Sequence, residues 1–529
     1  MMPVKISRRC LCLFVLVAIV VSAGIGLLRW GGWQPRRVNR EHVENVAKEF
    51  EYLTRRFDFH PPWDSWQSRA RAQEDLDELE WLLENRYSYF HLKGVDYRSA
   101  LDSIRCSLGD GINRSIFGYQ LSKFIALFGD GHSSAASSSV RLRSFCSSFP
   151  PFLVEESAGR LVAFKPNRSD FVDPNFPFLR AIDGVSMDKW LEVADLTVAE
   201  GSPQFVRYNT IRNLRYIEAL RKELGLSKSE TLEVQLESAD GLSSRQLVLP
   251  LVKEGPIYGF WPRLEDEITS REDIRPESRV LQSNIGYLRI VVMSAEPKLL
   301  DDLVEAMGRF RKTDSLIIDI RTNGGGSRAP LRVLLPFFMA QNDPPRIVNV
   351  AAYRLGTKNT KEDFEARYLY PASSSRWSKA ERGIINRFAE TFEPEWTPPK
   401  NQFSQWHYFV ISPIKDERYY HYEKPVVILM DSGNFSACDI FLGGFKSWKN
   451  VALMGQPSGG GSGCRKEYLL SNSDIRIHLS RMVSFRPNGQ LYDGNGIQPD
   501  IVIESVPTDF IGKTDTVLDT AIKYISQKK

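Results

Sequence analysis

The sequence predicts an α/β protein with an N-terminal helical subdomain and an inserted α+β module. Three observations predict it. Leucine-rich faces at helical spacing run through 71–129, short alternating segments follow at 150–255, and from 279 onward buried-strand patterns alternate with amphipathic helical ones. The 529 residues suffice for about two to four domains. With 42% hydrophobic and 25% charged residues, collagen-like, coiled-coil and largely disordered chains are excluded.

The N-terminus explains the net charge. There are 69 Lys and Arg against 65 Asp and Glu, a net +4. Seven of the cations lie within residues 1–40, which hold no acid, so the remainder carries 62 against 65, a net −3. A body near neutrality has no electrostatic footprint for nucleic acid. Lys5, Arg8 and Arg9 precede an apolar run from Cys10 to Leu28, long enough to cross a bilayer. Positive charge before the run predicts an exported body attached to the membrane through 1–30. Val21-Ser22-Ala23 offers a cleavage site, so a removed signal peptide competes with an anchor; the length of the run favours the anchor. Residues 31–70 read as a stem. Cys106, Cys146, Cys438 and Cys464 lie beyond it, as two disulfides or as free thiols.

In the helical subdomain, 71–149, Leu76, Leu79, Leu82 and Leu83 form one face. Leu101, Ile104 and Leu108 form a second, and Leu121, Phe124, Ile125 and Phe128 a third. The module at 150–256 shows strands at 161–164 and 232–236 around a helical stretch at 205–224. In the core, 279–510, strands are expected at 285–292, 316–320, 426–430, 451–454, 475–479 and 501–503. Helices are expected at 299–310 and 436–448. An aromatic, charged insertion at 355–423 holds a helix near 377–392. Residues 511–529 form a C-terminal helix.

Four local features carry possible chemistry. The strand 316–320 runs into Asp319-Ile320-Arg321-Thr322-Asn323-Gly324-Gly325-Gly326, where successive glycines let backbone N–H groups approach a ligand; a plain turn is the alternative. Ser436 follows a buried strand at the start of a helix, either as a helix cap or with its hydroxyl beside free N–H groups. His132 sits in Gly129-Asp130-Gly131-His132, and a histidine near its neutral pKa suits general-base work. The loops Gly455–Gly463 and Asp493-Gly494-Asn495-Gly496-Ile497-Gln498-Pro499-Asp500 follow strands.

Together with Gly286-Tyr287-Leu288-Arg289-Ile290, and in this order, these motifs resemble the C-terminal-processing (tail-specific) serine protease family, which includes the tricorn core protease. The resemblance implies a ClpP/crotonase-like core. Phe178-Leu179-Arg180-Ala181-Ile182-Asp183-Gly184-Val185 is similar to a turn of the PDZ domains such proteins carry, which implies a PDZ-like module. Many members pair the serine with a lysine 25 residues later; here that residue is Gly461, and the loop holds no lysine. Lys446 and Lys449 lie on the helix after Ser436.

The resemblance therefore points to the tricorn-like branch. It implies Ser436 as nucleophile, His132 as general base and Asp493, where glutamate is usual, as the orienting acid. The oxyanion donors would be the N–H of Ala437 and that of Gly324 or Gly325. Tricorn-like enzymes have serine before the histidine, where this chain has Gly131. The expected activity is that of an exported serine endopeptidase acting on peptides or proteins through an acyl-enzyme, with no cofactor or metal. The alternative is an inactive family member serving as an exported binding or scaffold protein. A crotonase-type acyl-thioester enzyme would need a basic phosphate site, which the glycine loops lack, whereas a hydrolase of non-peptide acyl substrates would use the same triad.

Overall fold

Val426–Met430 is an unbroken apolar run, and all five residues are buried. A strand buried on both faces belongs inside a parallel sheet covered by helices. The computed structural model describes residues 65–135, 146, 148–253, 275–356 and 361–528. The expected anchor or signal segment at 1–30 and most of the stem at 31–70 lie outside the described residues. Among the described residues, no helix is long and apolar enough to cross a membrane.

The leucine faces form α1 (Arg69–Arg86), α2 (Tyr97–Ser107) and α3 (Arg114–Ala126). Leu76, Leu79, Leu82, Leu83, Leu101 and Leu121 are all buried. Asp96 and Asn113 cap α2 and α3 by accepting the Ser99 and Ser115 N–H groups. A short strand, β1 (Ser134–Ala135), follows the His132 turn.

The inserted module begins with β2 (Leu153–Ser157), β3 (Arg160–Phe164) and β4 (Phe178–Ile182). Three helices follow: α4 (Met187–Asp195), α5 (Pro203–Asn213) and α6 (Ile217–Glu223). It closes with β5 (Thr231–Glu237) and β6 (Ser244–Pro250). The sheet is antiparallel in the order β2-β3-β4-β5-β6. Asp183 and Gly184 both have positive φ (51° and 72°), which turns β4 tightly back onto Val185–Ser186. The single helical stretch expected at 205–224 is two helices. The break falls where Asn213 turns its amide to Ala194 O (3.0 Å) and Tyr216 and Ile217 enter the buried core.

The core opens with β7 (Glu277–Leu281), β8 (Ile285–Arg289), α7 (Pro297–Phe310), β9 (Ser315–Asp319) and α8 (Ala329–Leu334). It continues through β10 (Arg346–Tyr353), α9 (Lys379–Thr391), β11 (His407–Ile411), β12 (Val426–Met430) and α10 (Ala437–Phe445). The last elements are β13 (Val451–Gly455), β14 (Arg465–Leu469), β15 (Arg476–Ser480), β16 (Met482–Phe485), β17 (Ile501–Val502) and α11 (Thr516–Gln527). The main sheet runs β7-β8-β9-β12-β13-β17, parallel from β8 onward with β7 as an antiparallel edge. Ile318 and Ile428 face α7 and α10, while Ile317, Val427 and Leu429 face α11. Fully burying each such side chain is worth about 1.5–3 kcal/mol.

Two smaller sheets complete the core. The expected insertion at 355–423 contributes β11, which pairs with β10, so it is part of the fold rather than an appendage. The hairpin β14–β15 accepts β1 as its third strand, with Ala135 opposite Ile477 and Ser134 opposite His478. That pairing brings the helical subdomain's end into the core.

Candidate active site

Ser436 stands at the junction of β12 and α10 with φ 61° and ψ −113°. A non-glycine residue held there stores about 1–3 kcal/mol of strain. The surroundings fix it. Asn434 Nδ2 donates to Ile320 O and Asn434 Oδ1 accepts the Asp431 N–H (2.9 Å), while the Asp431 carboxylate accepts the Thr322 N–H (2.8 Å). The Ser436 side chain makes no capping bond to its helix. Its Oγ instead lies 3.0 Å from His132 Nε2, across 304 residues of sequence. The cap alternative is thereby excluded by geometry.

His132 is anchored from behind by Asp130, a residue the sequence reading passed over as a flank. The Asp130 carboxylate accepts the His132 N–H (2.9 Å), the Ser133 hydroxyl (2.5 Å) and the Ser480 hydroxyl (2.8 Å). Ser480 belongs to β15, so the turn is pinned to the same sheet that β1 joins. The His132 ring stacks on Phe435 with centroids 4.7 Å apart. Burial pushes the imidazole down to about 4, against the pull of the Asp130 charge. It is therefore neutral at pH 7.

Asp493 is 5% exposed and sits behind the histidine. Its Oδ2 accepts the Tyr89 hydroxyl and the Ser462 N–H (3.2 Å). Its Oδ1 and His132 Nδ1 are both buried and have no hydrogen-bond partner among the described residues. Single donor atoms of Asp130, His132 and Asp493 all lie within 4.8 Å of one another. Two carboxylates and an imidazole at this range also form a donor set of the kind that holds a divalent cation. Burial, with the Asp130 charge adding to it, pushes the Asp493 carboxyl up to about 7. Tyr89, which no sequence pattern marked, is fully buried and comes from the segment after α1.

The glycine loop after β9 is tied down by Arg321, which is 1% exposed and bonds Asp319 (2.6 Å) and Asp515 (2.7 Å). Gly325 lies directly against the Ser436 turn, since a Cβ there would meet Ala437 N at 2.9 Å. Its own N–H donates to Asn323 Oδ1 (2.9 Å), so the expectation that Gly325 could supply a free donor is corrected. Gly324 is exposed at the same turn. Ala437 opens α10, where the first N–H groups have no partner within the helix. A cleft of about 370 Å³ borders Gly131, Gly324, Ser432, Gly433 and Phe435.

The place of the absent lysine is filled. A Cβ on Gly461 would lie 2.3 Å from the Phe435 ring and 3.3 Å from His132 Cε1. Gly131 is equally constrained, with Phe435 at 2.6 Å and Phe205 at 2.7 Å from a Cβ. No serine fits where the tricorn-like pattern has one. Lys446 pairs with Asp500 and donates to Gln498 O (2.9 Å), away from Ser436. The loop 458–461 is held by Asp439, in the first turn of α10. Its carboxylate accepts the Ser458 hydroxyl and the Gly460 and Gly461 N–H groups. Cys106, Cys146, Cys438 and Cys464 are free thiols, which settles that alternative.

Comparison with known proteins agrees with this architecture. Residues 284–503 match peptidase family S41. The chain is 34% identical over 106 residues to the tricorn protease homolog of Saccharolobus solfataricus, covering 20% of this chain and 10% of that protein. It is 26% identical over 102 residues to the carboxy-terminal-processing protease of Bartonella bacilliformis, covering 19% of this chain and 23% of that protein. The matched stretches thus span less than a quarter of either relative. The structure of mature CPAF superposes with a TM-score of 0.59 at 18% identity, covering 87% of this chain and 96% of that one. Mature CPAF complexed with lactacystin gives 0.58 at 17% identity, covering 87% and 97%. At such identity the likeness shows a shared mixed α/β fold. Residues 284–503 of this chain are thus similar to peptidase family S41.

Proposed function

We propose that the chain is a serine endopeptidase of the C-terminal-processing, tricorn-like kind, with Ser436 as nucleophile and His132 as general base. The observation that carries this reading is the 3.0 Å contact between His132 Nε2 and Ser436 Oγ. A neutral imidazole at that distance takes the hydroxyl proton as Oγ attacks the scissile carbonyl, then gives it to the leaving amine. Water hydrolyses the acyl-enzyme by the same exchange. With Nε2 accepting, Nδ1 carries the ring proton, and the imidazolium formed in the reaction is stabilised by the carboxylate of Asp493, supported by that of Asp130. Ala437 N–H and Gly324 N–H receive the oxyanion; each such donor is typically worth about 2.7–4 kcal/mol of barrier.

The reading extends to the rest of the chain. The core is of the ClpP/crotonase kind, the module at 150–256 is PDZ-like, and the helical subdomain supplies the base. The body is exported and attached to the membrane through 1–30, as the seven cations around an apolar run suggest. The substrate is a peptide or protein lying in the cleft beside Gly324 and Phe435.

Labelling with a fluorophosphonate probe tests the chemistry. Wild type is expected to label and Ser436→Ala to remain blank, with lactacystin blocking the wild-type reaction. A wild type that labels no faster than Ser436→Ala, although folded, would leave the inactive scaffold as the better reading.

A further inference from the structure

The helix α5 belongs to the inserted module and pairs Arg207 with Glu156 of β2, yet its first turn also hydrogen-bonds the loop 458–459 beside Ser436. Ser202 Oγ donates to Gly459 O (2.6 Å) and caps α5 by accepting the Phe205 N–H. Gln204 Nε2 donates to Ser458 O (2.7 Å). Just before the helix, Glu200 N–H donates to Ala126 O (3.0 Å), at the end of the helix that leads to the His132 turn. One short segment of the module thus grips both the strand–loop that faces the nucleophile and the helix that delivers the base.

Phe205 sits at the centre of this grip. Its ring lies 5.0 Å from that of Phe435 at 31°, and Phe435 in turn stacks on His132 at 4.7 Å and 28°. The three rings form a continuous pile that ends on the imidazole. Glycines surround it: a Cβ on Gly131 would collide with both phenyl rings, and one on Gly459 would come within 3.1–3.3 Å of both. The backbone has closed onto the two phenyl rings from two sides, and Phe435 holds the imidazole between them and Ser436. Packing at this density transmits a change in one ring to its neighbours.

We propose that Phe205 is a positioning residue for His132, so that the inserted module, through α5, sets the geometry of a base carried by a different part of the chain. This rests on the reading of His132 as the base. Shortening Phe205 leaves Phe435 free to tilt and admits water beside the imidazole.

The test reads His132 itself and needs no turnover. The protein has seven histidines, few enough to follow by 13C-labelled imidazole NMR in the full chain, with His132→Gln assigning the resonance. In Phe205→Ala the His132 resonance is expected to move, the other six staying put. Phe205→Leu, which restores apolar bulk, is expected to fall between the two. Fluorophosphonate labelling of Ser436 should slow on the order of 10- to 100-fold in Phe205→Ala. If Phe205→Ala does not fold, Phe205→Leu decides by the same shift. An unchanged His132 resonance in a folded variant overturns the proposal. A shifted resonance in a protein that never labels would sustain the positioning role while rejecting the peptidase reading.

Discussion

The Asp439 carboxylate accepts the Ser458 hydroxyl at 2.5 Å, so the helix that begins after Ser436 also holds the loop facing it. Burial pushes Asp439 up to about 7, and its partners are backbone N–H groups of Gly460 and Gly461. Asp439→Ala leaves three buried donors without an acceptor. We expect a loss on the order of 1–3 kcal/mol in urea unfolding, with slower labelling of Ser436.

The same residue makes a pH prediction. Its folded pKa lies above the unfolded one, so its contribution to stability is full below pH 3.8 and is lost as pH rises through about 7. Wild type should therefore lose more stability than Asp439→Asn between pH 4.5 and 7.5. Urea midpoints at the two pH values measure the difference, and equal slopes would refute it.

Activity should titrate through Asp493. With its carboxyl raised to about 7, the anion that supports a His132 imidazolium forms only around neutrality. Labelling rates are expected to climb between about pH 6 and 8. Asp493→Asn should flatten that limb and slow the reaction by on the order of 10²–10⁴. A wild-type rate independent of pH across this range would separate Asp493 from the chemistry.

Strain at Ser436 gives a stability prediction with opposite signs for function and folding. Ser436 holds φ 61°, a conformation open to glycine. Ser436→Gly should abolish labelling and unfold at a higher urea concentration than Ser436→Ala, by about 1 kcal/mol or more.

The lysine of the dyad should not be restorable by one substitution. Even a methyl group on Gly461 meets Phe435 at 2.3 Å. Gly461→Ala is expected to cost about 1–3 kcal/mol and Gly461→Lys to cost more. Urea unfolding of the two variants measures both.

Much of this was legible from periodicity and motif order. The buried strands β9 and β12, the crossover helix α7 and the seats of Ser436 and His132 follow from local pattern, because each is dictated by residues near in sequence. The rest depends on contacts between distant segments. Phe205 and Tyr89 read as ordinary core aromatics, and only the fold brings them to His132 and Asp493. Asp130 stood in view beside His132, but its role depends on Ser480, which is 350 residues away. The commitment of the Gly325 N–H to Asn323 likewise needs the folded loop. Strands such as β10 and β11 escaped notice because they pair with each other across an aromatic segment that reads as an insertion.

The pairing of β1 with β15 has a consequence for synthesis. A chain made from its N-terminus presents His132 long before Arg476–Ser480 exists to receive Ser134 and Ala135. Ser436 emerges before His132 is held in place, and Asp493 comes later still. On the proposed reading, the set of Ser436, His132 and Asp493 is assembled only after residues 476–480 and 493 have been made, a delay that needs no separate inhibitor.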